Sequence, residues 1–311
     1  NVHVVAIRGN FDDAQSGVKK IFTDNAVKQR LAENGMQFSS ANSINWGRLA
    51  PQIVYYVSAY CDMLNRGEDI KNGFNVVVPT GNFGNILAAY YAKKMGVPIS
   101  KLICASNSNN VLTDFIRTGV YDRNRKFYTT VSPSMDILIS SNLERLLYML
   151  TDQNDAQIRE WFGSLAETGK YEVNDEVKKV LKEEFFGGYC DDDQTKATIS
   201  EIYKKYSYTC DTHTAVAVKV YEDYKKATGD ETKTLIASTA SPYKFSASVL
   251  EAIEGKKSDL DEYDMVARLA ELSDIPVPSA LADLKNKERR FTGSIEKSDM
   301  NSYVMKDFGL A

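Results

Sequence analysis

Residues 75–98 read NVVVPTGNFGNILAAYYAKKMGVP: a buried strand, a glycine-rich turn and a helix in immediate succession. Val76, Val77 and Val78 form a wholly apolar, β-branched run of the kind covered on both faces, and Pro79, which has no N–H for a ladder, predicts the strand's end. Gly81 and Gly84 allow backbone angles and close approaches that a Cβ forbids, so the amides around Asn82, Phe83 and Asn85 can converge on one point. The pattern predicts a helix from Ile86. Ala88, Ala89 and Ala92 let that helix lie close to a sheet, and Gly96 followed by Pro98 ends it. Free amides at the positive end of a helix, at the carboxyl edge of a parallel strand, make an anion site, most often for phosphate. The alternative is an ordinary strand-to-helix turn with Asn as its cap.

Before this unit, residues 39–64 read SSANSINWGRLAPQIVYYVSAYCDML, in which Ile53, Val54, Val57 and Tyr60 recur at helical spacing after Pro51. Ser43, Asn45 and Arg48 precede the apolar part, a cluster that can hold an anion by hydrogen bonds and charge, or can be a capping Ser beside a solvated Arg. Nearer the start, Val2–Ile7 reads as a strand, Asp12 and Asp13 suit the first turn of a helix from about Ala14, and Asn25–Glu33 reads as a second helix. After the central unit, Leu102–Ala105 predicts the next parallel strand, and the polar run Ser106–Asn110 faces the same crevice. FYTTVSPSMDI opens like a strand and breaks at Pro133; Asn142 then caps a helix with Leu143, Leu146, Leu147 and Leu150 on one face. Asp136 and Arg145 could reach a ligand, with cap and surface roles as the default. Residues 152–208 read as charged helices with a break at Gly187–Gly188, and Asp191–Asp193 as a helix cap rather than a metal site. His213, with no nucleophile nearby in sequence, reads as a helix-entrance or core histidine. Thr234–Ala237 is a further strand running directly into the hydroxyls of Ser238, Thr239 and Ser241.

The 311 residues can supply a full core at 43% hydrophobic content, and a net charge of −4 with both signs interspersed argues against nucleic acid or a membrane as partner. The four cysteines lack metal-ligand spacing, so no metal site is expected and a reducing cytoplasm fits. The first residues, NVHVVAIRGNFDDAQ, look like a strand already inside a fold, which leads to the expectation that the chain's beginning is missing.

GNFGN at 81–85, SANSINWGRLAPQIVYY before it, SPSMDI, SSNLERLLYML, THTAVA and STASPYKF after it together resemble threonine synthase, a fold-type II PLP enzyme family, over nearly the whole chain. The resemblance implies an α/β architecture, a mostly parallel twisted sheet with helices on both faces. It implies domains at 1–40 (the end of a smaller α/β domain) and 41–311 (a large PLP-binding domain). It implies pyridoxal 5′-phosphate as cofactor, with Gly81, Asn82, Phe83, Gly84 and Asn85 holding its phosphate and Thr239 meeting the pyridine nitrogen. Ser43, Asn45 and Arg48 would bind the substrate, O-phospho-L-homoserine. The implied reaction yields L-threonine and phosphate by β-proton removal, γ-phosphate elimination and hydration, in a monomer or weak dimer. The family's PLP lysine would belong to a segment before Asn1, so no catalytic residue is assigned in this chain; neither Lys93 nor Lys244 matches its motif. Two other readings share the phosphate loop: another fold-type II lyase or dehydratase, and a non-catalytic anion-binding derivative.

Overall fold

The structure is a computed structural model that describes residues 2–9, 11–273 and 275–310, with the side chains of Phe11 and Asp12 left aside. The carboxylate expected at Asp12 therefore lies outside the described residues. Strands run at Ala6–Arg8 (β1), Phe74–Pro79 (β2), Ile99–Ser106 (β3), Val120–Asp122 (β4), Lys170–Glu172 (β5), Phe185–Tyr189 (β6), Thr234–Ile236 (β7) and Ser294–Glu296 (β8).

The valine run became the middle of a four-stranded sheet of order β6–β3–β2–β7, parallel throughout. Val77 stands beside Ile103 on one side and Ile236 on the other, and every residue of β2 is buried. The two faces of the strand feed separate cores. Val76 and Val78 pack with Leu102, Cys104, Ile86 and Phe115, while Val77 packs with Ile103, Ala105, Val216 and Val220. Burying a valine or leucine side chain in this way contributes roughly 1.5–3 kcal/mol. The sheet with helices on both faces is thus the expected α/β class.

Two expectations fail here. Gly187–Gly188 is no break: it lies inside β6, because a Cβ on Gly187 would stand 2.9 Å from the Thr113 carbonyl and one on Gly188 2.6 Å from Val220. Small residues bring the neighbouring helices onto the strand, at a place where sequence pattern reads punctuation. The FYTT segment forms no strand and runs as irregular chain to a short turn at Pro133–Met135.

The chain divides into two compact units, Asn42–Pro278 and a smaller one formed by Asn1–Ala41 with Ser279–Ala311. Residues 279–311, expected in the large domain, belong with the first segment instead because β8 pairs in parallel with β1, Ile7 opposite Ile295. Ile21, Val27, Leu31, Met300 and Leu310 form that unit's own core.

All four cysteines are free; Cys61 is exposed, and burial pushes the thiols of Cys104, Cys190 and Cys210 up to about 12, 11 and 12. No helix among the described residues is long and apolar enough to cross a membrane.

Candidate active site

The phosphate-type loop follows β2 directly. Thr80 donates its amide to Ala105 (2.8 Å) and its hydroxyl to Val78 (2.7 Å), so the chain leaves the sheet in a fixed direction. The Gly84–Lys94 helix then begins two residues earlier than expected. The left-handed turn that starts it is made by Phe83, at φ 64°, and by neither glycine. A bulky residue in that region is strained, and here its ring is locked in the core, 6.2 Å from the ring of Phe185. The glycines are required for space instead. A Cβ on Gly81 would lie 2.6 Å from the Ser134 carbonyl oxygen, and one on Gly84 2.4 Å from Ser43 Oγ. Among the described residues, no protein acceptor takes the amides of Gly81, Asn82, Phe83, Gly84 or Asn85. Five unpartnered donors at a helix N-terminus are a ready anion cradle.

The back of this loop is carried by residues 132–142. Ser140 Oγ donates to the Gly81 carbonyl (2.8 Å), and Asn142 donates both its amide (3.1 Å) and its Nδ2 (2.9 Å) to the Asn82 carbonyl. Asn142 stands at the head of the Leu143–Leu150 helix, but its side chain makes no cap. The expected capping role is thus overturned by stronger demands from the loop. Asp136, read by default as a cap or surface acid, is buried and accepts from Asn107 Nδ2 (2.8 Å), Asn109 Nδ2 (2.9 Å) and both the amide and hydroxyl of Thr130 (2.9 and 2.7 Å). A buried carboxylate fed by four donors fixes the turn that abuts Gly81.

His213 is a core histidine, as its sequence context suggests. The Ser134 amide donates to its Nε2 (3.2 Å), which places the ring proton on Nδ1, 3.1 Å from Asp211 Oδ1. Both nitrogens are engaged, and the ring is buried; it serves to hold the Ser134 turn. Asp211 also caps the Thr212–Thr228 helix and accepts from the Thr214 hydroxyl, which lies 3.2 Å from Ser238 Oγ. Asp191 caps the preceding Asp192–Tyr206 helix in a reciprocal box with Gln194, and no group of three or more metal-ligating side chains occurs among the described residues.

A cavity of about 570 Å³ opens beside the loop, and it gathers Arg48, Asn85 and Thr239, three residues widely separated in sequence, with Gln52, Tyr55, Tyr56 and Ser238. Tyr56 is hydrogen-bonded to Asn85 Oδ1, and burial raises its phenol well above the ordinary range, so it remains a neutral donor. The sequence reading named Ile53, Val54, Val57 and Tyr60 on this helix, yet Tyr56 is its buried residue and Val54 is exposed. Ser43 stands over Gly84, its Oγ 3.0 Å from Asn142 Nδ2, and Asn45 caps the short Trp46–Leu49 helix through the Gly47 amide (2.9 Å). Neither lines the cavity wall with Arg48. Lys93 is paired with Glu184 (3.1 Å), and Lys244 lies over the Phe245 ring; neither lines the cavity.

A parallel sheet with an amide cradle after one strand and hydroxyls after its neighbour makes an anion site at the carboxyl ends of the strands. Residues 214–303 match the family model for the C-terminal part of threonine synthase. The chain is 39% identical to human Threonine synthase-like 1 over 305 residues, covering 97% of this chain and 41% of that protein. It is 37% identical to threonine synthase of Saccharomyces cerevisiae over 280 residues, covering 86% of this chain and 53% of that protein. Among solved structures, the PLP-bound threonine synthase of Brucella melitensis superposes with a TM-score of 0.77 at 34% identity, over 98% of this chain and 59% of that one. By these matches the chain is similar to the C-terminal part of threonine synthases, and it spans about two fifths to three fifths of the length of these relatives.

The residues present fit PLP. The unpartnered amides of Gly81–Asn85 suit its phosphate, and the glycine spaces leave room for the approach that a Cβ would fill.

Proposed function

We infer that this chain supplies the cofactor-phosphate and substrate-phosphate sites of a threonine synthase, which converts O-phospho-L-homoserine and water to L-threonine and phosphate. One observation carries the reading: Arg48, Asn85 and Thr239 meet at one cavity beside an amide cradle with no protein acceptor. A fold-type II lyase of another specificity would need the cradle but not the arginine.

PLP, when bound, supplies the electron sink for removing the substrate's β-proton and expelling its γ-phosphate. The amides of Gly81–Asn85 would hold the cofactor's phosphate. Arg48 would receive the substrate's phosphate and neutralise its charge, on a short helix held by the Asn45 cap and preceded by Ser43 at the cofactor loop. Thr239 would offer a neutral hydroxyl to the cofactor's ring nitrogen, where a carboxylate would favour a protonated ring. The lysine that carries the cofactor in this family has no counterpart among Lys93 and Lys244, and we assign it to a segment outside these 311 residues. A reducing cytoplasm suits four free thiols.

Expressed together with the lysine-bearing segment, the protein is expected to release inorganic phosphate from O-phospho-L-homoserine and form threonine, read by phosphate assay and amino-acid analysis. Phosphate release with 2-oxobutyrate in place of threonine would move the assignment to a lyase of the same fold.

Thr239 is exposed on the cavity wall, so Thr239→Asp is expected to leave the fold intact while shifting the visible absorption of bound cofactor and raising the share of side products. An unchanged spectrum and product ratio would remove Thr239 from the site.

A further inference from the structure

Two segments carry the proposed anion sites, residues 43–48 and residues 81–85, and one buried side chain ties them together. Asn142 uses its whole amide: Nδ2 donates to the Asn82 carbonyl (2.9 Å) and to Ser43 Oγ (3.0 Å), and Oδ1 accepts from Arg145. Arg145 extends the tie, its Nη1 donating to the Ser43 carbonyl (3.3 Å) and its Nη2 to the Ile44 carbonyl (2.7 Å). Asn142 is fully inaccessible, and neither residue lines the cavity that holds Arg48 and Thr239. Their hydrogen bonds end on backbone carbonyls and Ser43, not at the site where a ligand would sit.

We propose that Asn142 and Arg145 are a positioning pair that sets the spacing between the substrate-phosphate segment and the cofactor-phosphate loop. The inference rests on the functional reading above and deepens it by naming what holds the two sites in register. The chemistry demands such a device. A fork of N–H donors on two successive carbonyls fixes the 43–44 peptide in both direction and rotation, and an amide that both donates and accepts can bridge it to the loop without a charge of its own. An error of about 1 Å in the placement of a reacting group lowers a rate by as much as roughly 100-fold.

The two residues have different reach, which makes the proposal testable. Asn142 touches both segments, whereas Arg145 touches residues 43–44 and Asn142 but not the loop. In the active protein, Asn142→Ala is expected to raise KM for O-phospho-L-homoserine roughly tenfold or more and to weaken PLP binding several-fold. Arg145→Ala should raise KM with PLP affinity within about twofold, and Arg145→Lys should restore little, because an ammonium cannot span two carbonyls. The double variant should raise KM by less than the product of the single effects, since the pair acts as a unit. Thermal melts run alongside report folding. A merely structural role would lower the melting temperature and the active fraction, yet leave KM of the surviving enzyme unmoved. Unchanged KM in folded Asn142→Ala, or loss of PLP binding in Arg145→Ala equal to that in Asn142→Ala, would overturn the pairing while the wild type stays active. A wild type that does not turn over O-phospho-L-homoserine would take down the functional reading and this inference together.

Discussion

Gly84→Val is expected to leave a folded protein that no longer retains PLP, with affinity reduced roughly 100-fold or more as the amide cradle closes. Its Cβ would lie 2.4 Å from Ser43 Oγ and 2.6 Å from Ser43 Cβ; turning the hydroxyl relieves only the first contact, so the chain at Ser43 must shift and release Asn142. The clash falls on the half-buried Ser43, which belongs to neither hydrophobic core. Gly81→Val behaves differently. There the Cβ meets the Ser134 carbonyl at 2.6 Å and Met135 Cα at 3.3 Å, backbone atoms fixed by His213 and by the Asp136 network. Overpacking of that kind costs about 1–3 kcal/mol, so the Gly81 variant should lose melting temperature along with cofactor. Equilibrium dialysis with PLP and a melt for each variant check both statements. Full PLP affinity in folded Gly84→Val would show that the loop does not hold the phosphate.

Arg48→Ala is expected to raise KM for O-phospho-L-homoserine about 10- to 100-fold with PLP still bound, since losing a charge-assisted contact to phosphate costs about 1.5–3 kcal/mol. Arg48 lies across the cavity from Thr239, on the short helix capped by Asn45, and has no part in the Gly81–Asn85 cradle. Steady-state kinetics with a parallel PLP titration separate the possibilities. Loss of PLP with unchanged KM would place Arg48 in the cofactor site.

Local pattern carried much of this in advance, and its failures have a common physical cause. The β-branched run, the glycine turn and the alanine-rich helix at 76–92 are each set by neighbours in sequence, and strand, turn and helix follow in the order read, with the helix starting two residues early at Gly84. Asn142 was legible as a helix cap because Asn before an apolar helix usually is one; its diversion to Asn82, Ser43 and Arg145 depends on partners up to 99 positions away. Phe83 shows the same limit, since only burial of its ring makes a left-handed angle tolerable between two glycines. Gly187–Gly188 reads as a break until the helix carrying Val220 is known to press on it. Tyr56 escaped notice because helical spacing selected the aliphatic residues around it, while its hydroxyl was needed at Asn85. Arg48 and Thr239 could be named individually, but only the fold brings them to one cavity.

The pairing of β1 with β8 also dictates an order of events during synthesis. Ala6 and Ser294 must meet before the smaller unit has its sheet, and the entire segment Asn42–Pro278 separates them. Closing an unstructured loop of that span is entropically unfavourable, though each doubling of length adds only about 0.6 kcal/mol, and contacts so distant in sequence form slowly. The segment Asn42–Pro278 makes its parallel sheet and both cores from its own residues, so its folding does not depend on that distant pairing. Truncation of the last twenty residues would remove β8 and leave the edge of Ala6–Arg8 that it pairs without that partner.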